Sequence, residues 1–340
     1  LFFLLELQMS LEVVGLGNAL MDALVVVEDD RVLDELGFQR GTMHPVSHEQ
    51  WTEVFNSLSD HDIAYDSGGS CANTIATIGL LGGSAVYRGQ VGDDKLGHLY
   101  AKHISDACGD HDLNFTQDHA TGKCLSIISA KDAERTMLTD LGASVHLDGV
   151  GSRFSALITE AKVAHFTGYT FLPGPMQAVA FDALSEAKAA GITISIDAAD
   201  PFVIQLIRDL MWETIEKYAD IIFLNHEEAK ALTDLPPEEA AHHIAERAGV
   251  TTVIVKMGAQ GSVVLHKGTL HKIAAKMVKA IDTTGAGDAY AGGYLFGHVN
   301  SWTPTACGTL ASHIAGLTVS QVGAVLKDKD ALQAVVRELS

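Results

Sequence analysis

Ile281-Asp282-Thr283-Thr284-Gly285-Ala286-Gly287-Asp288-Ala289-Tyr290-Ala291-Gly292-Gly293 combines a tight turn with a run of small residues suited to a closely packed helix. A helix N-terminus offers free N–H groups and a partial positive charge, so it attracts phosphate. Gly285 and Gly287 let the backbone approach an anion with no Cβ in the way. Asp288 runs against that logic, because a carboxylate repels phosphate unless it has a task. Taking the proton of an attacking hydroxyl is such a task. The plainer alternative is a helix N-cap or first-turn acid; the Asp-Thr-Thr-Gly-Ala-Gly frame favours the chemical reading.

Upstream of this turn, from about Ser144, strand-like and helical runs alternate. Val163–Phe166, Ile192–Asp197, Ile221–Leu224, Thr252–Lys256 and Ser262–His266 read as strands, with helices such as Met176–Ala190 and Pro237–Ala248 between them. That alternation predicts an α/β fold with a doubly wound, mostly parallel sheet flanked by helices. Leu11–Gly15 supplies a first strand, and Cys71–Leu81 a helix opened by a Gly-rich turn. Lys123–Ser129 and Glu134–Thr139 flank a turn at Lys131-Asp132, a hairpin pattern. The β-rich pieces at about 23–62 and 110–140 break the alternation. They are expected to form a discontinuous small β-sheet lid on a single domain spanning 9–340.

Composition bounds the function. The chain has 340 residues, 43 acidic against 23 basic, a formal charge of −20. Its overall field repels nucleic acid and anionic membrane, so neither is an expected partner. A nucleotide site would need local positive charge from backbone amides, a few Lys or Arg, and a divalent cation. The four cysteines include no C-x-x-C pair and fit reduced thiols in a cytoplasmic protein. The sixteen histidines are scattered, without zinc-ligand spacing. Leu1–Leu5 is too short to span a membrane and lacks a signal peptide's basic flank. Met9 reads as the natural start, and residues 1–8 are set aside.

The D-T-T-G-A-G-D run resembles the C-terminal signature of the ribokinase-like (PfkB) carbohydrate and nucleoside kinase family. The resemblance implies that Asp288 is the catalytic base and that the backbone of Gly285, Ala286 and Gly287 forms an anion hole, with Thr283 beside the nucleotide. Asp66-Ser67-Gly68-Gly69-Ser70-Cys71-Ala72-Asn73-Thr74 is similar to the family's N-terminal glycine-pair motif. Gly68 and Gly69 would bring backbone close to a sugar, and Asn73 can both donate and accept hydrogen bonds to vicinal hydroxyls. A Gly-rich helix start capped by Ser70 is the bland alternative. Val91-Gly92-Asp93-Asp94-Lys95-Leu96-Gly97 also resembles the family, in a structural or site-edge role.

Gly15-Leu16-Gly17-Asn18-Ala19-Leu20-Met21-Asp22 fails as a dinucleotide fingerprint, because Leu20 stands where a third glycine belongs. By resemblance, Asn18 and Asp22 hydrogen-bond substrate hydroxyls, and an acceptor-only carboxylate suits a cis-diol. Asn225-His226-Glu227-Glu228 follows a strand, where open α/β sheets bind ligands. Its N-x-x-E pattern is similar to the family's magnesium and phosphate element, with Asn225 and Glu228 acting through metal-bound water; an Asn-capped acidic helix start is the alternative. Lys256-Met257-Gly258-Ala259-Gln260-Gly261 resembles a nucleotide-contacting turn, Lys256 meeting a phosphate while Gly258 and Gly261 pass the ribose. His313 lines the adenine pocket or packs in the core. Arg135 reaches over substrate from the lid or is simply exposed.

These features imply an enzyme that uses ATP and Mg²⁺, with a monovalent cation such as K⁺ near Asp282 left open. The S-G-G-S-C-A-N-T run, and R-T-M followed by Leu141-Gly142-Ala143, look most like the adenosine-kinase branch. That implies transfer of the γ-phosphoryl group to the primary hydroxyl of an adenosine-like nucleoside, with Phe115, Tyr169 or Phe171 as stacking partners or core. The alternatives are a kinase of a free sugar such as ribose, fructose or a keto-sugar acid, and a non-catalytic nucleotide or sugar sensor. Monomer and homodimer are both compatible with the sequence.

Overall fold

The computed structural model describes residues 11–28, 33, 37–131 and 135–339. Residues 1–8 and Met9 lie outside them, as do Asp132 of the turn expected at Lys131-Asp132 and Glu134, the first residue of the strand expected after it. Nine strands form one sheet in the order β14 (Thr269–Ile273), β13 (Ser262–His266), β12 (Thr252–Lys256), β11 (Ile221–Asn225), β10 (Thr193–Asp197), β9 (Val163–Thr167), β1 (Val13–Leu16), β5 (Ala85–Gly92) and β6 (Asp112–Thr116). Neighbours run parallel except in the β12–β13–β14 meander. Both faces are covered, which is why these strands read as continuous apolar runs. In β1, Val14 and Leu16 enter one core and Val13 the other, as the two-residue strand period requires.

Five strands make the second sheet: β3 (Met43–Pro45), β8 (Arg135–Asp140), β7 (Gly122–Ser129), β2 (Leu20–Val27) and β4 (Ile63–Gly68). Ala23, Val25 and Val27 of β2 pack with Leu125 and Ile127 against Trp51, Val54 and Leu58. Trp51 and Val54 belong to the helix His48–Ser57, whose first turn is closed by a Ser47–Gln50 capping box. The opposite alternation points Asp22, Leu24 and Val26 away from that helix.

The expected boundaries of the second sheet are corrected in three places. Residues 112–116 are not part of it; they pair with β5 in the large sheet. The fourth strand starts at Ile63, beyond the expected limit of 62, and β2 begins at Leu20, so Asp22 lies within a strand. The polar segment before it contains a helix rather than only irregular β structure. Length misled here: β6 is a short, half-buried edge run that looks the same in either sheet.

The V-G-D-D run is structural. Asp94 caps the helix Lys95–Cys108 by accepting from Gly97 N–H at 2.8 Å. The same carboxylate accepts from Thr121 N–H at 2.8 Å and Thr121 Oγ at 2.7 Å. It thereby pins the segment that leads from β6 in the large sheet to β7 in the small one.

Candidate active site

Two helix N-termini converge. The helix Ser70–Leu80 starts at Gly69, with φ +95°, where an added Cβ would sit 2.2 Å from the Asn18 carbonyl. The helix Ala286–Val299 starts at Gly285, with φ +68°. The two pack so closely that a Cβ at Gly292 would lie 2.7 Å from Thr77 Cβ. Ser70, Asn73, Thr74 and Thr77 follow the i, i+3, i+4, i+7 spacing of one helix face. Ser70 Oγ donates to Asp288 Oδ1 at 2.6 Å, Asn73 Nδ2 donates to Asp288 Oδ2 at 2.8 Å, and Thr74 Oγ donates to the Asp288 carbonyl at 3.2 Å. Asp288 is thus held by side chains more than 200 positions away, which a plain first-turn acid does not need.

Burial pushes the Asp288 carboxyl up to about 6; the hydrogen bonds from Ser70 and Asn73 and the charge of Lys256 pull it down, while Asp197 pushes it up. A base must be ionised, so kcat/KM is expected to fall as pH drops through about 6, with a flat profile down to pH 4.5 as the contrary result. Asp22 and Glu228 are each raised to about 7, burial again being the main cause. All three carboxyls bind their proton more tightly folded than unfolded. Their contribution to stability is therefore present at low pH and lost as pH rises through the window from about 4 to about 7. The ligand-free protein is expected to melt at a lower temperature at pH 8 than at pH 5, as a thermal scan would record.

On the side of the small sheet, Asp22 packs against bare backbone: a Cβ at Gly68 would lie 2.5 Å from its Oδ2. Asn18 Oδ1 and Asn73 Oδ1 are buried acceptors with no hydrogen-bond partner among the described residues. Buried acceptors left in this way call for donors from elsewhere, and hydroxyl groups of a ligand have the right chemistry. Asn18, Asp22, Gly68, Gly69 and Asn73 therefore gather as the sequence predicts. Arg135 does not hang free over this cleft. Its Nη2 donates to Ser126 Oγ at 2.8 Å and its Nη1 meets Asp282 Oδ1 at 3.5 Å, tying the small sheet to the glycine turn. Phe171 is fully buried in the core, Phe115 stacks one face on His98 and is otherwise exposed, and Tyr169 is partly buried.

Beyond Asp288 opens a cavity of about 730 Å³, lined among others by Asn225, Glu228, Lys256, Gly258, Gly261 and Thr283. Ala286 N–H turns to the Thr283 carbonyl at 3.3 Å, so one of the three amides expected to form the anion hole is engaged within the turn, while Gly285 and Gly287 line the cavity with it. Asn225 and Glu228 form a reciprocal capping box, with Asn225 N–H to Glu228 Oε2 at 2.8 Å and Glu228 N–H to Asn225 Oδ1 at 2.8 Å. Both the capping alternative and a place on the cavity wall hold for this pair. His313 is a correction: its ring bonds the Thr309 carbonyl at 2.9 Å, and the wall is made instead by Ser312, Ala315, Gly316 and Val319.

Asp282 accepts from Thr284 N–H at 2.9 Å, Thr284 Oγ at 2.5 Å and Gly323 N–H at 3.0 Å, besides facing Arg135. Burial alone would raise this carboxyl; those donors outweigh it and hold it below the usual range.

The sequence profile described as "pfkB family carbohydrate kinase" matches residues 50–331. The chain belongs to the pfkB family. It is 26% identical to adenosine kinase 1 of Arabidopsis thaliana over 345 residues, covering 93% of this chain and 96% of that one. The adenosine kinase of Saccharomyces cerevisiae is 28% identical over 76% of this chain and 78% of its own length. Among solved structures, adenosine kinase from Sinorhizobium meliloti superposes with a TM-score of 0.87 at 28% identity, covering 97% of this chain and 100% of the other. A probable sugar kinase from Rhizobium etli CFN 42 gives the same TM-score at 27% identity, covering 97% and 98%. The fold is the ribokinase-like α/β fold of these proteins, and membership of the pfkB family makes the chain a phosphotransferase acting on an alcohol group, a nucleoside or sugar kinase.

Sequence reasoning missed two groups of this pfkB site. Ser70 was read only as a cap, although its i, i+3 relation to Asn73 puts both on the face that meets Asp288. Asp197 ends a strand that was correctly read, and the strand-end argument applied to Asn225 would have found it.

Proposed function

We propose that the protein transfers the γ-phosphoryl group of ATP to the primary hydroxyl of an adenosine-like nucleoside, with Asp288 as general base. The observation that supports this reading is the position of Asp288. Its carboxylate stands at a helix N-terminus with free amide donors, between the hydroxyl-seeking groups Asn18, Asp22 and Asn73 and the 730 Å³ cavity. The cavity fits a nucleotide: Gly287 leaves bare backbone beside Lys256, and Gly258 and Gly261 carry positive φ of +57° and +89° on its wall. Asn225 and Glu228 would hold Mg²⁺ through water, and the ion would neutralise phosphate charge. The chain's own residues orient the hydroxyl, receive its proton at Asp288 Oδ and stabilise the transferring group through the turn amides. A lid action of the small sheet would exclude water.

A free sugar is the second reading, favoured by the equal structural likeness to the probable sugar kinase. Purified protein incubated with MgATP and a panel of nucleosides, ribose, fructose and keto-sugar acids separates the two by the identity of the phosphorylated product. ADP release without any phosphorylated acceptor would sink both. Asp22→Ala is expected to raise the acceptor KM roughly 10- to 100-fold, the worth of a charge-assisted hydrogen bond, and to leave the ATP KM within about twofold.

A further inference from the structure

Lys256 sits at the end of β12 with its side chain 13% exposed and its Nζ 2.8 Å from Asp197 Oδ2, a carboxylate only 5% exposed. A Cβ built on Gly287 would lie 3.1 Å from the same Nζ, so the ammonium lies directly against the backbone of the phosphate turn. We propose that Asp197 is a positioning residue of the nucleotide half-site: its ion pair holds the Lys256 ammonium at the Gly287 amide, so that amine and amide together grip the terminal phosphate of ATP. The proposal rests on the kinase reading above and adds to it Asp197, which lines the same cavity and is argued to act through Lys256.

Asp197 is itself fixed. Its Oδ1 accepts from Ala199 N–H at 2.9 Å in a tight turn where Ala199 adopts φ +78°. A non-glycine residue in that region is strained, and such strain persists only where the surroundings hold it. With Oδ1 anchored to the turn, Oδ2 is left as a directional acceptor for the lysine. Among the described residues this is the one hydrogen bond the ammonium makes, which leaves two of its three donors for an incoming anion.

The surroundings explain why an anchor is needed. The wall near Lys256 also carries the carboxylates of Glu228 and Asp288. A lysine on a flexible four-carbon stem could fold onto either of them and leave the turn. Burial works against its charge, and the neighbouring Asp197 and Glu228 more than offset that, keeping it protonated. The glycine at 287 completes the arrangement, since any side chain there would push the amine away.

The test compares the wild type, Asp197→Asn, Lys256→Met and the double variant, reading MgATP affinity by calorimetry, acceptor KM by product formation, and thermal melting. Asp197→Asn and Lys256→Met are each expected to weaken MgATP binding roughly 10- to 100-fold with acceptor KM within about twofold. The double variant should bind no more weakly than Lys256→Met, because Asp197 acts only through the lysine. Unchanged MgATP affinity in Lys256→Met, or a weakening in that variant alone while Asp197→Asn binds normally, overturns the proposal. So does a double variant weaker than Lys256→Met, a comparison that stands even if Asp197→Asn alone does not fold. Failure of the kinase reading appears separately, as wild-type protein that phosphorylates no acceptor.

Discussion

Asp288→Asn is expected to lower kcat by about 10²–10⁴-fold, the range contributed by a positioned general base. The substitution keeps shape and volume: its oxygen can still accept from Asn73 Nδ2 at the 2.8 Å contact, and its NH2 donates to Ser70 Oγ at the 2.6 Å contact, which alone reverses. Affinity for MgATP should stay within about twofold, or improve slightly as a negative charge leaves the phosphate site. Melting temperature should hold or rise, because burial disfavours the ionised carboxylate it replaces. Single-turnover assays with the best acceptor, alongside nucleotide titration, give the two numbers. Turnover unchanged in the amide variant would remove Asp288 from the chemistry.

Gly285→Ala is the second large effect. At φ +68° any L-residue is strained by about 1–2 kcal/mol, and the new Cβ would stand 2.5 Å from Ala324 Cβ and 2.8 Å from Ala324 Cα. Backbone on that side cannot move aside as a flexible side chain could, so the turn itself must shift. That displaces the Gly287 amide, and losing one preorganised donor of this type costs roughly 10²–10³ in kcat. Gly249→Ala, at the end of the helix Pro237–Ala248 and outside the cavity lining, is the control. Its φ is +69° and nothing among the described residues lies within 4 Å of the added carbon, so it incurs the backbone strain without the displacement. Loss of turnover confined to Gly285→Ala supports the anion-hole reading, whereas equal kinetics in both variants contradicts it.

Much of this site is legible in the chain because its parts are local. The glycine turn, the glycine pair and the Asn225–Glu228 cap each need a fixed conformation within a few residues, and local geometry leaves a local signature. Parallel strands buried on both faces announced the large sheet in the same way. What escaped is relational. Whether β6 joins the large sheet or the small one depends on its partner β5, not on its own five residues. Arg135 finds Asp282, and Lys256 finds Asp197, across elements whose approach no single stretch encodes. His313 shows the converse error: a polar residue in a motif-like run drew attention, while the helix turned its small neighbours to the cavity.

The carboxylate that defines the site is clamped by residues 215 and 218 positions earlier. During synthesis at about 5–20 residues per second, Ser70 and Asn73 wait roughly 10 to 45 s before their partner is made. The emerging chain therefore carries Ser70 and Asn73 without their partner, and meets it only when the helix Ala286–Val299 docks. With Asp288 as the proposed base, a truncated product ending before it is expected to form no phosphorylated acceptor. The same geometry makes two separately expressed fragments, divided between the half-sites, a natural complementation assay in which phosphorylated product reports reassembly.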